Sequence, residues 1–169
     1  MPMKNLSLRL LAAIACILPA TTACDKLDDT RVPNLPVHLV FNSVADWHTW
    51  GLGGATDHKR FIISDTERVP SGYPFTALDR TGFGGILLVE DVNGNIIPYD
   101  LACPVECKST VRVRIDEDTF TAECPQCHST YDVFSLYGHP LSGPAARDGY
   151  GLRRYHASRG NVPYMVISN

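Results

Sequence analysis

Four cysteines in the second half of the chain have a spacing suited to metal binding. They form two pairs, Cys103 with Cys107 and Cys124 with Cys127, and 16 residues separate the pairs. Thiolate sulfur is a preferred ligand of Zn²⁺, of single iron ions and of iron–sulfur clusters. In an exported protein the same four cysteines can form two disulfides instead. The spacing alone therefore leaves metal and disulfides open.

The segment between the pairs indicates how they are brought together. Residues 110–116 alternate polar and apolar side chains, which is typical of a half-buried strand. Glu117-Asp118 then predicts a turn, and residues 119–122 predict the returning strand. Because a hairpin returns its two ends to each other, we expect both cysteine pairs to meet at one point.

The remaining pattern predicts a small all-β sandwich or barrel. Asn93-Gly94 between two apolar runs is a strong hairpin signal. Residues 43–84 predict mainly loops with one or two strands. The other candidate strands are residues 37–41, 86–92, 96–99, 152–156 and 164–168.

Composition and charge narrow the class of protein. The chain has 169 residues, of which 44% are apolar and 20% charged, as in ordinary globular domains. Fifteen basic against 18 acidic residues give a net charge of −3, which argues against a nucleic-acid partner.

The N-terminus predicts export. Lys4 and Arg9 precede an apolar run over residues 10–20, which is short for a membrane span and typical of a signal peptide. We therefore assign residues 1–23 to a signal peptide, which would remove Cys16.

Cys24 follows this signal directly and resembles the acylated cysteine of bacterial lipoproteins. We expect lipidation at Cys24, with residues 24–36 as a tether and residues 37–169 as the folded domain. The acidic stretch 25–29 resembles the signal that carries some lipoproteins to the cell surface. This predicts a lipid-anchored protein of the bacterial cell envelope, in the outer membrane or at the cell surface.

The second cysteine loop resembles the Rieske iron–sulfur domain. Residues 124–132 read Cys-Pro-Gln-Cys-His-Ser-Thr-Tyr-Asp and align without gaps on that family's second cluster loop. Gly143-Pro144-Ala145 is similar to its proline loop, and the resemblance extends over residues 37–169. It implies a Rieske-like antiparallel β fold with a small rubredoxin-like metal-binding subdomain formed by the two cysteine loops.

The chain departs from the family at both histidine ligands. Val105 and Cys127 occupy the two histidine positions, and Cys107 is the nearest further ligand in the first loop. The resemblance thus implies a [2Fe–2S] cluster held by four cysteines, with Zn or a single Fe as the alternative cofactor. Because thiolate is anionic and imidazole neutral, the potential should fall toward about −400 mV.

The resemblance also implies roles for four neighbouring residues. The hydroxyl groups of Ser129 and Tyr131 would hydrogen-bond sulfur, and Pro144 would cover the site. We expect His128 to lie beside the ligands or at the surface. In a shifted register it would instead be a ligand, with Cys107 and Cys127 joined in a disulfide.

Together these expectations describe an envelope-anchored electron-transfer module that acts on an unidentified redox partner protein. Membrane attachment would come through the N-terminal lipid. The chain carries no substrate domain, so we expect a carrier rather than an enzyme. The alternatives are a lipoprotein with a structural four-cysteine Zn or Fe site, and a metal-free degenerate fold with two disulfides that serves as a binding module.

Overall fold

The computed structural model describes residues 27–64 and 66–169, and the prediction of an all-β protein is confirmed for them. The signal peptide and Cys24 lie outside the described residues. The strands are β1 (Val37–Phe41), β2 (His58–Ile63), β3 (Arg68–Val69), β4 (Arg80–Thr81), β5 (Ile86–Glu90), β6 (Ile96–Asp100), β7 (Arg114–Asp116), β8 (Thr121–Glu123), β9 (Thr130–Asp132), β10 (His139–Ser142), β11 (His156–Arg159) and β12 (Met165–Ser168). The two short helices are α1 (Val44–Trp50) and α2 (Gly143–Asp148).

The strands form three antiparallel sheets of four strands each. The terminal sheet has the order β11-β12-β1-β4, the central sheet β3-β2-β5-β6, and the cysteine sheet β10-β9-β8-β7. The central sheet buries both of its faces, because alternate side chains of a strand point to opposite sides. In β5, Leu87 and Val89 join a core with residues of the cysteine sheet, and Ile86 and Leu88 join a core with residues of the terminal sheet. This double burial explains the unbroken apolar run of β5.

The hairpin expected at Asn93-Gly94 joins β5 to β6, with Leu88 opposite Pro98. Buried Asp91 stabilises the turn by accepting hydrogen bonds from the backbone N–H groups of Asn93 and Asn95. Side-chain acceptance from nearby backbone is the usual reason for Asp in such a turn.

Residues 43–84 contain more regular structure than we expected. Ser43 caps α1 with a reciprocal capping box to Asp46, a pattern that stabilises even a two-turn helix. The same segment contributes β2, β3 and β4. Its aromatic side chains pack edge-on around Tyr73 and Phe41.

Two strands begin several residues later than predicted. The hairpin strand expected over residues 110–116 begins only at Arg114, because residues 108–113 serve the first cysteine loop. The strand expected over residues 152–156 begins at His156.

The described part of the expected tether, residues 27–36, packs along the domain; we call it the N-terminal segment. Val32 is fully buried, and Arg153 donates to the carbonyl oxygens of Val32 and Thr30. Within the described part of the chain, no helix has the length and apolarity needed to cross a membrane.

A buried carboxylate joins the central sheet to the first cysteine loop. Asp100, at the end of β6, accepts from the backbone N–H groups of Phe83, Gly84 and Ala102 and from the hydroxyl of Tyr155. At Gly84 a Cβ atom would lie 2.7 Å from Asp100 Oδ1, so only glycine allows this close approach. Burial raises the pKa of Asp100, while Tyr155 and the three N–H groups act against that rise.

We expect Tyr155→Phe to lower the free energy of unfolding by about 1–3 kcal/mol, since a buried acceptor loses one donor. The raised pKa makes the stabilisation by Asp100 largest at low pH, and it declines as pH rises through the folded pKa. The Tyr155 hydroxyl favours the charged carboxylate, so the loss in Tyr155→Phe should be larger at pH 7 than at pH 4. Denaturant unfolding at both pH values measures this.

The matched control is Tyr164→Phe, a half-buried tyrosine whose ring packs against Trp47. It should change stability by less than about 0.5 kcal/mol at either pH. Equal losses for Tyr155→Phe at pH 4 and pH 7 would contradict a role in holding the charged carboxylate.

Candidate metal centre

The two cysteine loops begin where strands of two different sheets end. Cys103 follows β6, and its loop closes through a hydrogen bond from the Cys107 N–H to the Cys103 carbonyl. Cys124 follows β8, and its loop closes in the same way from the His128 N–H to the Cys124 carbonyl. Each loop therefore presents its first cysteine from a backbone fixed on both sides.

The hairpin of β7 and β8 lies between the loops, with Arg114 opposite Glu123. Its two strands are shorter than the predicted ones, yet they return the chain to the first loop. An isolated β-bridge pairs Ala102 with Arg112 and so holds the start of the hairpin segment next to Cys103.

Three of the four cysteines meet. The Sγ atoms of Cys103, Cys124 and Cys127 all lie within 4.8 Å of one another, and those of Cys103 and Cys127 are 3.6 Å apart. Sulfur atoms at the corners of a tetrahedron around one ion, with metal–sulfur bonds of about 2.3 Å, are separated by about 3.8 Å. The three thiols therefore have the spacing of ligands to a single metal ion.

Cys107 belongs to the same loop as Cys103, but its side chain points elsewhere. Its thiol donates to the carbonyl oxygen of Pro104 at 3.1 Å and lies 3.6 Å from that of Arg31. Its φ of 49° lies in the left-handed region. We expected four thiols to converge, and three of them do. The thiol of Cys107 points away from the other three.

The four cysteines of the two loops are free thiols. The Cys103–Cys127 separation of 3.6 Å far exceeds a disulfide bond of about 2.05 Å.

The thiols differ in how readily they ionise. Burial raises the pKa of the Cys103 thiol to about 12, and burial also raises the pKa of Cys124. Burial opposes ionisation of Cys127 too, but hydrogen bonds with the hydroxyl and backbone N–H of Ser129 and with the Cys124 and Cys103 thiols hold the Cys127 pKa below its usual range. Cys127 is therefore the thiol of this group that most readily provides a thiolate.

Ser129 and Tyr131 are fully buried and touch sulfur. The Cys127 thiol lies 3.3 Å from Ser129 Oγ, and the Tyr131 hydroxyl lies 3.7 Å from Cys103 Sγ. Ser129 Oγ also accepts from the N–H of Ala145 in α2 at 3.0 Å. Hydroxyl groups at ligand sulfur are a recognised means of tuning a metal centre.

Pro144 lies in the first turn of α2, directly before Ala145. Gly143 has a φ of 74°, and a Cβ there would lie 2.9 Å from the Ser129 Cα, so the turn requires glycine. This close approach holds α2 against the second cysteine loop.

His128 points away from the three thiols. Its side chain is 75% exposed, and its Nδ1 lies 2.9 Å from Glu123 Oε1. The shifted register, in which His128 is a ligand, would require this side chain to turn inward.

Arg31 is a neighbour of the site that sequence reasoning missed. Its side chain stacks 4.4 Å above the Tyr150 ring, its Nε lies 3.5 Å from the Pro104 carbonyl, and its own carbonyl faces Cys107.

Comparison with known proteins adds no family assignment. No family model matches the chain, and no curated protein has significant similarity to it.

In reduced, metal-free protein we expect iodoacetamide to label Cys127 before Cys103 and Cys124. Each unit of pKa changes the thiolate fraction about tenfold, and the thiolate is the reacting form. Peptide mapping by mass spectrometry at pH 7.5 measures the order. The denatured chain is the control and should show similar rates at all three positions; the same equality in the folded protein would contradict these environments.

Proposed function

We propose that this chain is an envelope-anchored electron-transfer protein whose redox centre is iron bound by thiolates of the two cysteine loops. The observation that carries the proposal is the meeting of Cys103, Cys124 and Cys127 within 4.8 Å. Cys103 and Cys124 are fully buried, so these thiols face protein and a prospective metal rather than bulk water. A buried cluster of soft donors is unusual without a metal or disulfides.

The donor set fits iron. Thiolate sulfur is the ligand of iron–sulfur clusters, and iron held in this way supplies one-electron transfer at a potential set by charge, hydrogen bonding and exposure. Here Tyr131 would donate to the Cys103 sulfur and Ser129 to the Cys127 sulfur once those thiols are ionised. Both hydrogen bonds stabilise negative charge on sulfur and would raise the potential relative to four bare thiolates.

The fourth ligand would be Cys107. Turning its side chain inward gives up its contacts with the carbonyl oxygens of Pro104 and Arg31, both of which can accept other donors. The compact spacing of the other three sulfurs favours one iron. A [2Fe–2S] cluster divides its ligands between two irons and would need the two loops to spread further.

The resemblance of residues 124–132 to the second Rieske cluster loop supports a redox role for this site. The all-β scaffold and the proximity of α2, which begins at the Gly143-Pro144 pair, to Ser129 are compatible with it. Cys107 and Cys127 as ligands in place of the two histidines would give a more negative centre than in that family, suited to a low-potential redox partner protein.

A structural Zn site is the second candidate function. The separation of 3.6 Å between Cys103 and Cys127 suits one tetrahedral ion of either metal, and Zn²⁺ would hold the two loops together without redox chemistry. The protein would then be a binding lipoprotein.

Metal analysis of protein produced with iron and sulfide available tests the proposal. We expect visible absorption and about one iron per chain for a single ion, or about two for a [2Fe–2S] cluster. Colourless protein with one Zn per chain would support the structural role and contradict electron transfer. Protein with no metal and no titratable thiols in denaturant would support the two-disulfide alternative and overturn both metal functions.

Co²⁺ titration tests the ligands one by one. Cys124→Ser should reduce the sulfur-to-cobalt charge-transfer band by at least about one quarter, because it removes one of the three converging thiols. If Cys107 turns inward, Cys107→Ser should reduce the band by about one quarter, as one of four Co–S bonds is lost. Ser109→Ala, in the same loop, is the control and should leave the band unchanged. An unchanged band in Cys107→Ser would define a three-cysteine site.

The envelope location rests on Cys24, which lies three residues before the described N-terminal segment. We expect palmitate labelling of the chain in cells, and we expect Cys24→Ser to abolish it because Cys24 is the cysteine that directly follows the export signal. Labelling that persists in Cys24→Ser would exclude this anchor.

A further inference from the structure

We propose that a groove beside β2 binds an extended acidic peptide segment, which adds to β2 as a further strand and places a carboxylate against Arg60. The groove holds about 410 Å³ and is lined by Trp50 of α1, by Val69 and Pro70, and by the first residues of β2. This binding role is separate from the metal centre.

The first half of β2 has an open edge. On one side, His58 to Phe61 pair with β5. On the other side, β3 pairs only with Ile62 and Ile63. After Val69 the chain turns away at Pro70, which has no N–H to donate.

The alternation of strand hydrogen bonds shows which backbone groups face the opening. The Ser64 N–H donates to the Glu67 carbonyl on the β3 side, and the Asp57 carbonyl accepts from Glu90 on the β5 side. Because an antiparallel strand alternates sides at every residue, the N–H and C=O of Arg60 and the C=O of His58 point into the groove, while the His58 N–H donates to Asp57 Oδ1 at 2.7 Å. An extended peptide can pair with these groups, and its backbone offers both a donor and an acceptor.

The Arg60 side chain lacks a partner at the same place. Its Nε is buried and makes no hydrogen bond, and no ion pair of Arg60 occurs among the described residues. Glu67, the acidic group that acts on Arg60, is already bonded to Arg112 at 2.6 Å. Burial lowers the pKa of Arg60, and the nearby charges of Arg112 and Arg114 lower it further. A guanidinium with a buried, unbonded N–H is costly, and a carboxylate would offset that cost.

The rest of the groove favours a peptide over a simple anion. Lys59 adds a positive charge next to Arg60 on the strand, and it forms no ion pair within the described residues. Trp50 and Val69 offer contact to an apolar side chain. The open edge of three residues is about 10 Å long, which matches a short strand rather than a single phosphate or acetate. Net charge −3 does not favour binding of a polyanion such as nucleic acid.

The test uses the full mature chain with its metal as purified and a labelled peptide, acetyl-Thr-Val-Glu-Val-Thr-amide, in a fluorescence anisotropy titration. We expect saturable binding that Arg60→Met weakens at least about tenfold, because a charge-assisted hydrogen bond is lost. Arg60→Lys should retain part of the affinity. Arg159→Met removes the same charge from exposed β11 and should bind like the native chain. Near-UV circular dichroism checks that each variant is folded.

Amide hydrogen exchange of the native chain provides a second test that needs no substitution. Adding the peptide should slow exchange at the Arg60 amide, and a peptide N-methylated on both sides of its glutamate should not do so. Binding that Arg60→Met and Arg159→Met weaken equally would overturn the proposal, as would an Arg60 amide that the peptide leaves unprotected. Equal binding of the N-methylated peptide and of succinate would show a carboxylate site without strand addition and would also overturn it.

Discussion

The buried carboxylate of Asp100 is the interaction on which the arrangement of the site depends. It lies at the end of β6 and binds the turn at Phe83 and Gly84, the Ala102 amide and the Tyr155 hydroxyl. These four donors come from three separate segments of the chain, so one side chain fixes their relative positions. Together with the bridge between Ala102 and Arg112, it holds the backbone that leads directly into Cys103.

The second cysteine loop is held by different means. Ser129 and Gly143 bring the loop and α2 into close contact, and the Ala145 N–H completes the hydrogen bonding of the serine hydroxyl. Fixed loops place three thiols together at little further cost in conformational entropy. Such preorganisation favours metal binding.

Local patterns predicted local structure well and long-range contacts poorly. The Asn93-Gly94 hairpin and the convergence of the cysteine loops follow from turn chemistry and strand alternation, which act within a few residues. The inward-facing Asp100, the outward thiol of Cys107 and the contact of Arg31 with the first loop depend on residues 16 to 76 positions away. The spacing of residue types along the sequence does not predict contacts between such distant residues. The helix α1 was not predicted, because a seven-residue helix is too short for a clear periodicity.

Two charged side chains of the central sheet, Asp100 and Arg60, have opposite surroundings. Asp100 is surrounded by donors, and every one of them belongs to the fold. Arg60 is partly buried beside two further arginines and shares a single carboxylate that another arginine already binds. The donors around Asp100 fully compensate its charge, whereas Arg60 has no such partner. Stability alone would not require an arginine at position 60, since Met would pack in its place and remove the cost of burying a charge. The uncompensated guanidinium beside an open strand edge is therefore better explained by a ligand than by stability.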